Sequence, residues 1–166
     1  MPTLVVVRHA KAEEHRAGVS DHDRALTLDG RRQAARLGER LAEAGIVPQH
    51  VLVSPATRAQ QTWARMAVAL DAERVDTVPG LYSAGIGGYQ DALAVVGDAD
   101  VVATVAHEPT ASGFARWLAG DGSDREAFAD IAYGLVTSGA AVLELDSWED
   151  LRPGGARLVA VLSGKE

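Results

Sequence analysis

Three short runs of mainly β-branched residues constrain the fold of this chain more than anything else in it. Leu4-Val5-Val6-Val7 and Val51-Leu52-Val53 are continuous and apolar, and the six residues Val101 to Ala106 are so but for Thr104, as strands buried on both faces are. Helical spacing lies between them. Ala34, Leu37, Leu41 and Ala44 recur at that spacing among arginines and glutamates, which predicts a helix from about Gly30 to Ala44. Thr27 or Asp29 caps it, and Gly45 stops it. Ser54-Pro55 reads as an N-cap followed by proline at the first helical position, opening a helix to about Leu70. Residues 75–78 are expected as a short strand, 79–88 as a glycine-rich loop and 89–96 as a helix. Glu108-Pro109 opens a further helix with Thr110, Phe114, Trp117 and Leu118 on one face, ended by Gly120 to Ser123. Two late strands, Ala140 to Leu145 and Arg157 to Leu162, turn through Pro153-Gly154-Gly155. This alternation predicts an α/β fold: a three-layer α/β/α sandwich on a mostly parallel central sheet. A length of 166 residues suits one domain, 1–166, with a core of useful size.

Composition removes several function classes. There are no cysteines, hence no disulfide framework and no thiolate metal site. With 16 basic and 23 acidic side chains the formal charge is −7, which argues against nucleic acid as a partner. No apolar run is long enough for a signal peptide core or a membrane span, so the expected location is cytoplasmic, without a membrane partner. No His-Glu-x-x-His or carboxylate cluster suggests a metal. Gly85-Ile86-Gly87-Gly88 follows no strong strand and is a weak nucleotide-binding signal. Lys11 and Lys165 are the two lysines and all other basic residues are arginines, a count that says nothing about phosphate until position is considered.

Position is informative. The first strand ends at Arg8-His9, the second at Ser54-Pro55 with Arg58 one turn on, and the third at His107. In a parallel sheet the carboxyl ends of the strands share one edge, where ligands bind. Two histidines and two arginines would converge there. Guanidinium groups hold phosphoryl oxygens bidentately, and helix N-termini after Ser54 and Glu108 add N–H donors. A cation such as Arg58 in a first helical turn is unfavourable until an anion joins it. A neutral imidazole at His9 can attack phosphorus in line, and His107, if protonated, can stabilise charge on the transferred group. Singly, each residue has a plainer reading: an incidental strand end, a solvated helix charge, a satisfied half-buried histidine. His15, His22 and His50 read as surface residues.

In order along the chain, these residues resemble the histidine phosphatase superfamily, which is phosphoglycerate mutase-like in fold. Arg8-His9-Ala10 is similar to its Arg-His-Gly signature, with the alanine also found in the bacterial phosphohistidine phosphatase branch. Leu26-Thr27-Leu28-Asp29-Gly30 resembles Leu-Thr-x-x-Gly. The nine residues from Ser54 to Thr62 resemble Ser-Pro-x-x-Arg-Ala-x-x-Thr, and Ala106-His107-Glu108-Pro109 stands at the second histidine.

The resemblance implies that His9 forms a phosphohistidine intermediate and that Arg8, Arg58 and His107 build the phosphate pocket, joined by Arg24. It implies no metal and no organic cofactor. Larger members carry a glutamate general acid where this chain has Pro79 to Gly85, which holds no carboxylate. An alkoxide leaving group needs a proton donor, whereas a phosphoramidate leaves readily once its nitrogen is protonated. Phosphohistidine on a phosphotransfer-type partner protein is therefore the expected substrate. Glu13, Asp21, Asp23 and Glu108 stay open as possible acids. Two alternatives stand beside this expectation: a phosphatase for a small phosphate ester, and a phosphate- or phosphoprotein-binding module without turnover.

Overall fold

The computed structural model describes residues 1–165. Six strands form one sheet: β1 (Thr3–Arg8), β2 (His50–Val53), β3 (Arg74–Thr77), β4 (Val101–Ala106), β5 (Gly139–Leu145) and β6 (Ala156–Ser163), in the order β3-β2-β4-β1-β5-β6. The first four in that order run parallel, while β5 and β6 are antiparallel to their neighbours. The three strands whose ends drew attention, β2, β4 and β1, are immediate neighbours. Helices cover both faces: α1 (Leu28–Glu43), α2 (Thr57–Met66), α3 (Gly80–Ser83), α4 (Gly85–Leu93), α5 (Thr110–Leu118) and α6 (Arg125–Ile131).

Side chains alternate across a strand, so β1 feeds both cores. Leu4 and Val6 join Leu52, Tyr89, Phe114 and Leu118 under α4 and α5. Val5 and Val7 join Leu37, Leu41, Val53, Trp63 and Met66 under α1 and α2. Burying an aliphatic side chain of this size contributes about 1.5–3 kcal/mol, so the four central residues of β1 clamp the sheet between its helical layers. Helix α1 passes close to α2 at Gly38, where a Cβ would lie 2.5 Å from the Met66 carbonyl oxygen.

Several boundaries differ from the sequence reading. Thr27 caps α1, accepting from Gly30 N at 3.0 Å. Ser54 is not the cap of α2, which starts three residues later with Ala56 at that position and ends at Met66. The expected loop 79–88 contains α3 and the start of α4, hinged at Gly85 with φ +62°. Helix α6 was not expected; Asp124 caps it through Ala127 N at 2.9 Å. His50 is no surface residue: it is 5% exposed at the start of β2, with Nε2 2.7 Å from Asp76 on β3. The neighbouring strand supplied the cover and the partner. No helix among the described residues is long and apolar enough to cross a membrane.

Candidate active site

The sheet brings the two histidines together because of register. Arg8 pairs with Ala106 across β1 and β4, so the next residues, His9 and His107, leave the sheet side by side, with His9 N donating to Ala106 O at 3.0 Å. Their ring centroids are 5.3 Å apart. Ser54, leaving β2 on the other side of β4, donates from Oγ toward His107 Nε2 at 2.7 Å.

Hydrogen bonding assigns the state of each ring. His9 Nδ1 lies 2.7 Å from the Ala10 carbonyl oxygen. A carbonyl only accepts, so Nδ1 carries the hydrogen and Nε2 keeps its lone pair. The His9 pKa falls to about 4, chiefly through burial; the Ala10 carbonyl opposes this, while Arg58, Arg8 and Arg24 reinforce it. His107 falls to about 3, again through burial first, then through Arg58 and His9, with Asp21 pulling upward. Both imidazoles are neutral at pH 7 in this state. The Ser54 hydroxyl oxygen also lies 3.3 Å from Ala56 N, which donates to it. Its own hydrogen is free to go to His107 Nε2, leaving the His107 hydrogen on Nδ1.

The arginines are anchored and incompletely satisfied. Arg8 Nη1 donates to Leu135 O at 2.8 Å. Arg58 is 6% exposed and donates from Nη1 to Asp21 O at 2.7 Å and from Nη2 to Asp21 Oδ2 at 3.1 Å. Arg24 donates to Asp21 Oδ1 from Nε at 3.2 Å and Nη2 at 2.9 Å, and from Nη1 to Glu13 O at 2.8 Å. Among the described residues, the buried side-chain nitrogens without a hydrogen-bond partner are Arg8 Nε, Arg58 Nε and His107 Nδ1. All three belong to this cluster. Buried donors ordinarily find partners, so their concentration at one place marks a site for an acceptor-rich ligand.

Two residues join the cluster without having been named for it. Tyr82, on α3, donates from its hydroxyl to Asp21 Oδ2 at 2.6 Å and sets its ring edge-on to His107 at 5.5 Å. Thr62 accepts from Ala10 N at 2.9 Å and donates to Arg58 O at 2.7 Å, tying the turn after His9 to α2. Thr62 ends the Ser54-to-Thr62 motif, so its spacing was a usable signal. Tyr82 stood in a segment read as loop and gave none. Gly30 has a similar supporting role: a Cβ there would collide with the Lys11 carbonyl oxygen, so only glycine lets the chain after His9 pass α1.

The four carboxylates left open separate clearly. Glu108 is spent on structure, accepting from Ser112 N at 2.7 Å, Ser112 Oγ at 2.5 Å and Leu135 N at 3.3 Å. Asp23 pairs with His22 at 3.3 Å in the open, and Glu13 meets Arg24 through its backbone oxygen. Asp21 sits inside the cluster. Tyr82 first, then Arg24 and Arg58, hold its carboxyl well below the usual range against the opposing effect of burial. It supplies the anion that makes Arg58 tolerable in the first turn of α2. Among the described residues, no group of three or more His, Asp or Glu could hold a metal ion.

Comparison with known proteins agrees with this geometry. A family model for the histidine phosphatase superfamily (branch 1) matches residues 4–127. An uncharacterised protein of Mycobacterium tuberculosis is 37% identical over 156 residues, 92% of this chain and 96% of its own. A solved structure assigned as phosphohistidine phosphatase SixA of Nakamurella multipartitia is 32% identical, with a TM-score of 0.84 over 97% of this chain and 95% of its own. Another with the same assignment, from Agrobacterium tumefaciens, is 26% identical, with a TM-score of 0.82 over 98% of both chains. The six-stranded, mostly parallel sheet flanked by helices is the phosphoglycerate mutase-like architecture of these structures. With the family match running across both histidines and all three arginines, the chain belongs to the histidine phosphatase superfamily, branch 1.

Proposed function

We propose that this protein is a cytoplasmic phosphatase that carries the phosphoryl group on His9 and prefers phosphohistidine on a partner protein. The observation that carries the reading is the placing of three unpaired buried N–H donors, Arg8 Nε, Arg58 Nε and His107 Nδ1, around an imidazole whose Nε2 holds a free lone pair. Such an arrangement suits the equatorial oxygens of a phosphoryl group during in-line transfer, where catalysis is mainly positioning and charge stabilisation. His9 Nε2 attacks phosphorus and forms the P–N bond. The bond to the leaving group breaks, and its electron pair departs with that group. Water then attacks phosphorus, and the P–N electron pair returns to Nε2. The incoming dianion raises the pKa of His107 from its low resting value, since an opposite charge favours the protonated ring. Neutral or protonated, His107 turns its unpaired Nδ1–H to the transferring group. No step requires a metal or organic cofactor.

Two features support phosphohistidine over an ester. Pro79 to Gly85 offers Tyr82 but no carboxylic acid, and Asp21 is held ionised and so cannot serve as proton donor. The SixA-assigned structures carry the same substrate class in their names. Rapid-quench labelling tests the reading: the native chain should form an acid-labile phosphoenzyme that His9→Ala does not. The absence of any phosphoenzyme with phosphohistidine, acyl phosphate and aryl phosphate donors would leave a binding module. Turnover of sugar phosphates far exceeding that of a phosphohistidine protein would establish the ester phosphatase instead.

A further inference from the structure

We propose that Asp21 is a catalytic residue for imidazole leaving groups: its carboxylate accepts the N–H of the substrate's second ring nitrogen while the P–N bond breaks. The assignment rests on the phosphohistidine reading above and adds how that substrate is distinguished.

Placement comes from the depth of the site. His9 is 9% exposed and Arg58 6%, whereas the Asp21 side chain is 38% exposed. With the nucleophile on the floor, in-line displacement sends the leaving group out toward the rim. The Asp21 carboxylate stands at that rim, joined to the floor by Arg58 and to the His107 side by Tyr82. An imidazole of this chain already lies against it from solvent: His15 Nε2 is 3.6 Å from Asp21 Oδ1.

A carboxylate has about four acceptor positions. Arg24 fills two on Oδ1; Arg58 and Tyr82 fill two on Oδ2. When Arg58 turns its Nη2 to a phosphoryl oxygen, one position on Oδ2 opens beside the bound group. Arg24 and Tyr82 still hold the carboxylate in place and ionised.

The bond changes balance without a proton donor. In an N-phosphoryl imidazole protonated on the second nitrogen, the ring is cationic. Attack by His9 Nε2 forms one P–N bond and breaks the other. The electron pair of the broken bond stays on the ring, which leaves as neutral imidazole with its N–H still on Asp21. His9 is arranged as the mirror image of this, with Nδ1–H on the Ala10 carbonyl. The site thus moves a phosphoryl group between two imidazoles, each backed by an acceptor. An ester oxygen has no such N–H and gains nothing from Asp21.

The test is the ratio of kcat/KM for a phosphohistidine peptide to that for p-nitrophenyl phosphate, whose leaving group needs no proton. A charge-assisted hydrogen bond that keeps the leaving ring protonated, counted from free enzyme and substrate, corresponds to about 10- to 100-fold in kcat/KM. Asp21→Asn and Asp21→Ala should each lower the ratio about 10-fold or more. A ratio within about 3-fold of the native one in both variants, whatever the absolute rates, overturns the assignment and leaves Asp21 as a support for Arg58. A native protein that turns over only the aryl ester overturns the phosphohistidine reading itself, which separates the two failures.

Discussion

Lowering the pH from 7 to 5 should destabilise the native protein by about 2 kcal/mol more than it destabilises His9→Asn. In the fold His9 titrates at about 4 rather than the ordinary 6.5. Between those values the unfolded chain binds a proton that the folded chain refuses. Stability therefore rises with pH across this window, and it is lost as the pH falls from 6.5 toward 4. The complete effect is about 3.4 kcal/mol at about 1.36 kcal/mol per pH unit, and by pH 5 about 2 kcal/mol of it has been expressed. Asparagine is the informative replacement because its amide N–H can take over the bond to the Ala10 carbonyl while carrying no charge at any pH. His107, lowered chiefly by the same burial, adds a slope of equal sign in both proteins; the part of its lowering that His9 causes is lost in the variant and adds to the difference. Urea unfolding at the two pH values supplies the four free energies. Equal losses within about 0.5 kcal/mol would mean that His9 accepts a proton in the fold at pH 5. A neutral nucleophile at the floor of the pocket would then be ruled out.

Three further outcomes follow from the packing. Ser54→Ala removes the partner of His107 Nε2; the ring tautomer should shift in nitrogen NMR, and kcat should fall about 10-fold or more with the His9 label still formed. Thr62→Val keeps the side-chain shape but orphans Ala10 N and unties Arg58 O, which should cost about 1–3 kcal/mol in urea unfolding. Gly38→Ala should stabilise α1 by about 1 kcal/mol if helix propensity decided. The contact with Met66 O predicts the reverse, a net loss of about 1–3 kcal/mol from overpacking.

Much of the fold could be read along the chain because its signals are local. An unbroken apolar run such as Leu4 to Val7 has few places to go except the middle of a sheet, and the 37, 41 spacing of leucines in α1 suits one buried helical face. Arg8, His9, Arg58 and His107 were legible for a related reason. Each stands at or just beyond a strand end, and parallel strands bring their ends to one edge. What stayed hidden depends on neighbours distant in sequence. His50 looked exposed until β3 placed Asp76 against it. Residues 80–93 looked like a glycine-rich loop followed by a helix, yet Leu81 and Tyr89 find buried places that hold two helical segments there. Ser54 looked like a helix cap, and the position of β4 turned it toward His107 instead.

The residues that determine charge at the site divide along the same line. The sequence by itself determined that two histidines and at least two arginines stand at or just beyond strand ends that a mostly parallel sheet gathers at its carboxyl edge, because strand length and strand–helix alternation follow from local pattern. Tertiary structure alone decided the state of those groups. Burial made both rings neutral, the Ala10 carbonyl chose which nitrogen of His9 keeps its lone pair, and packing of α3 brought Tyr82 onto Asp21. Protonation, tautomer and ion pairing depend on distances of a few ångströms and on exclusion of water. A linear sequence carries neither until the chain has closed around them.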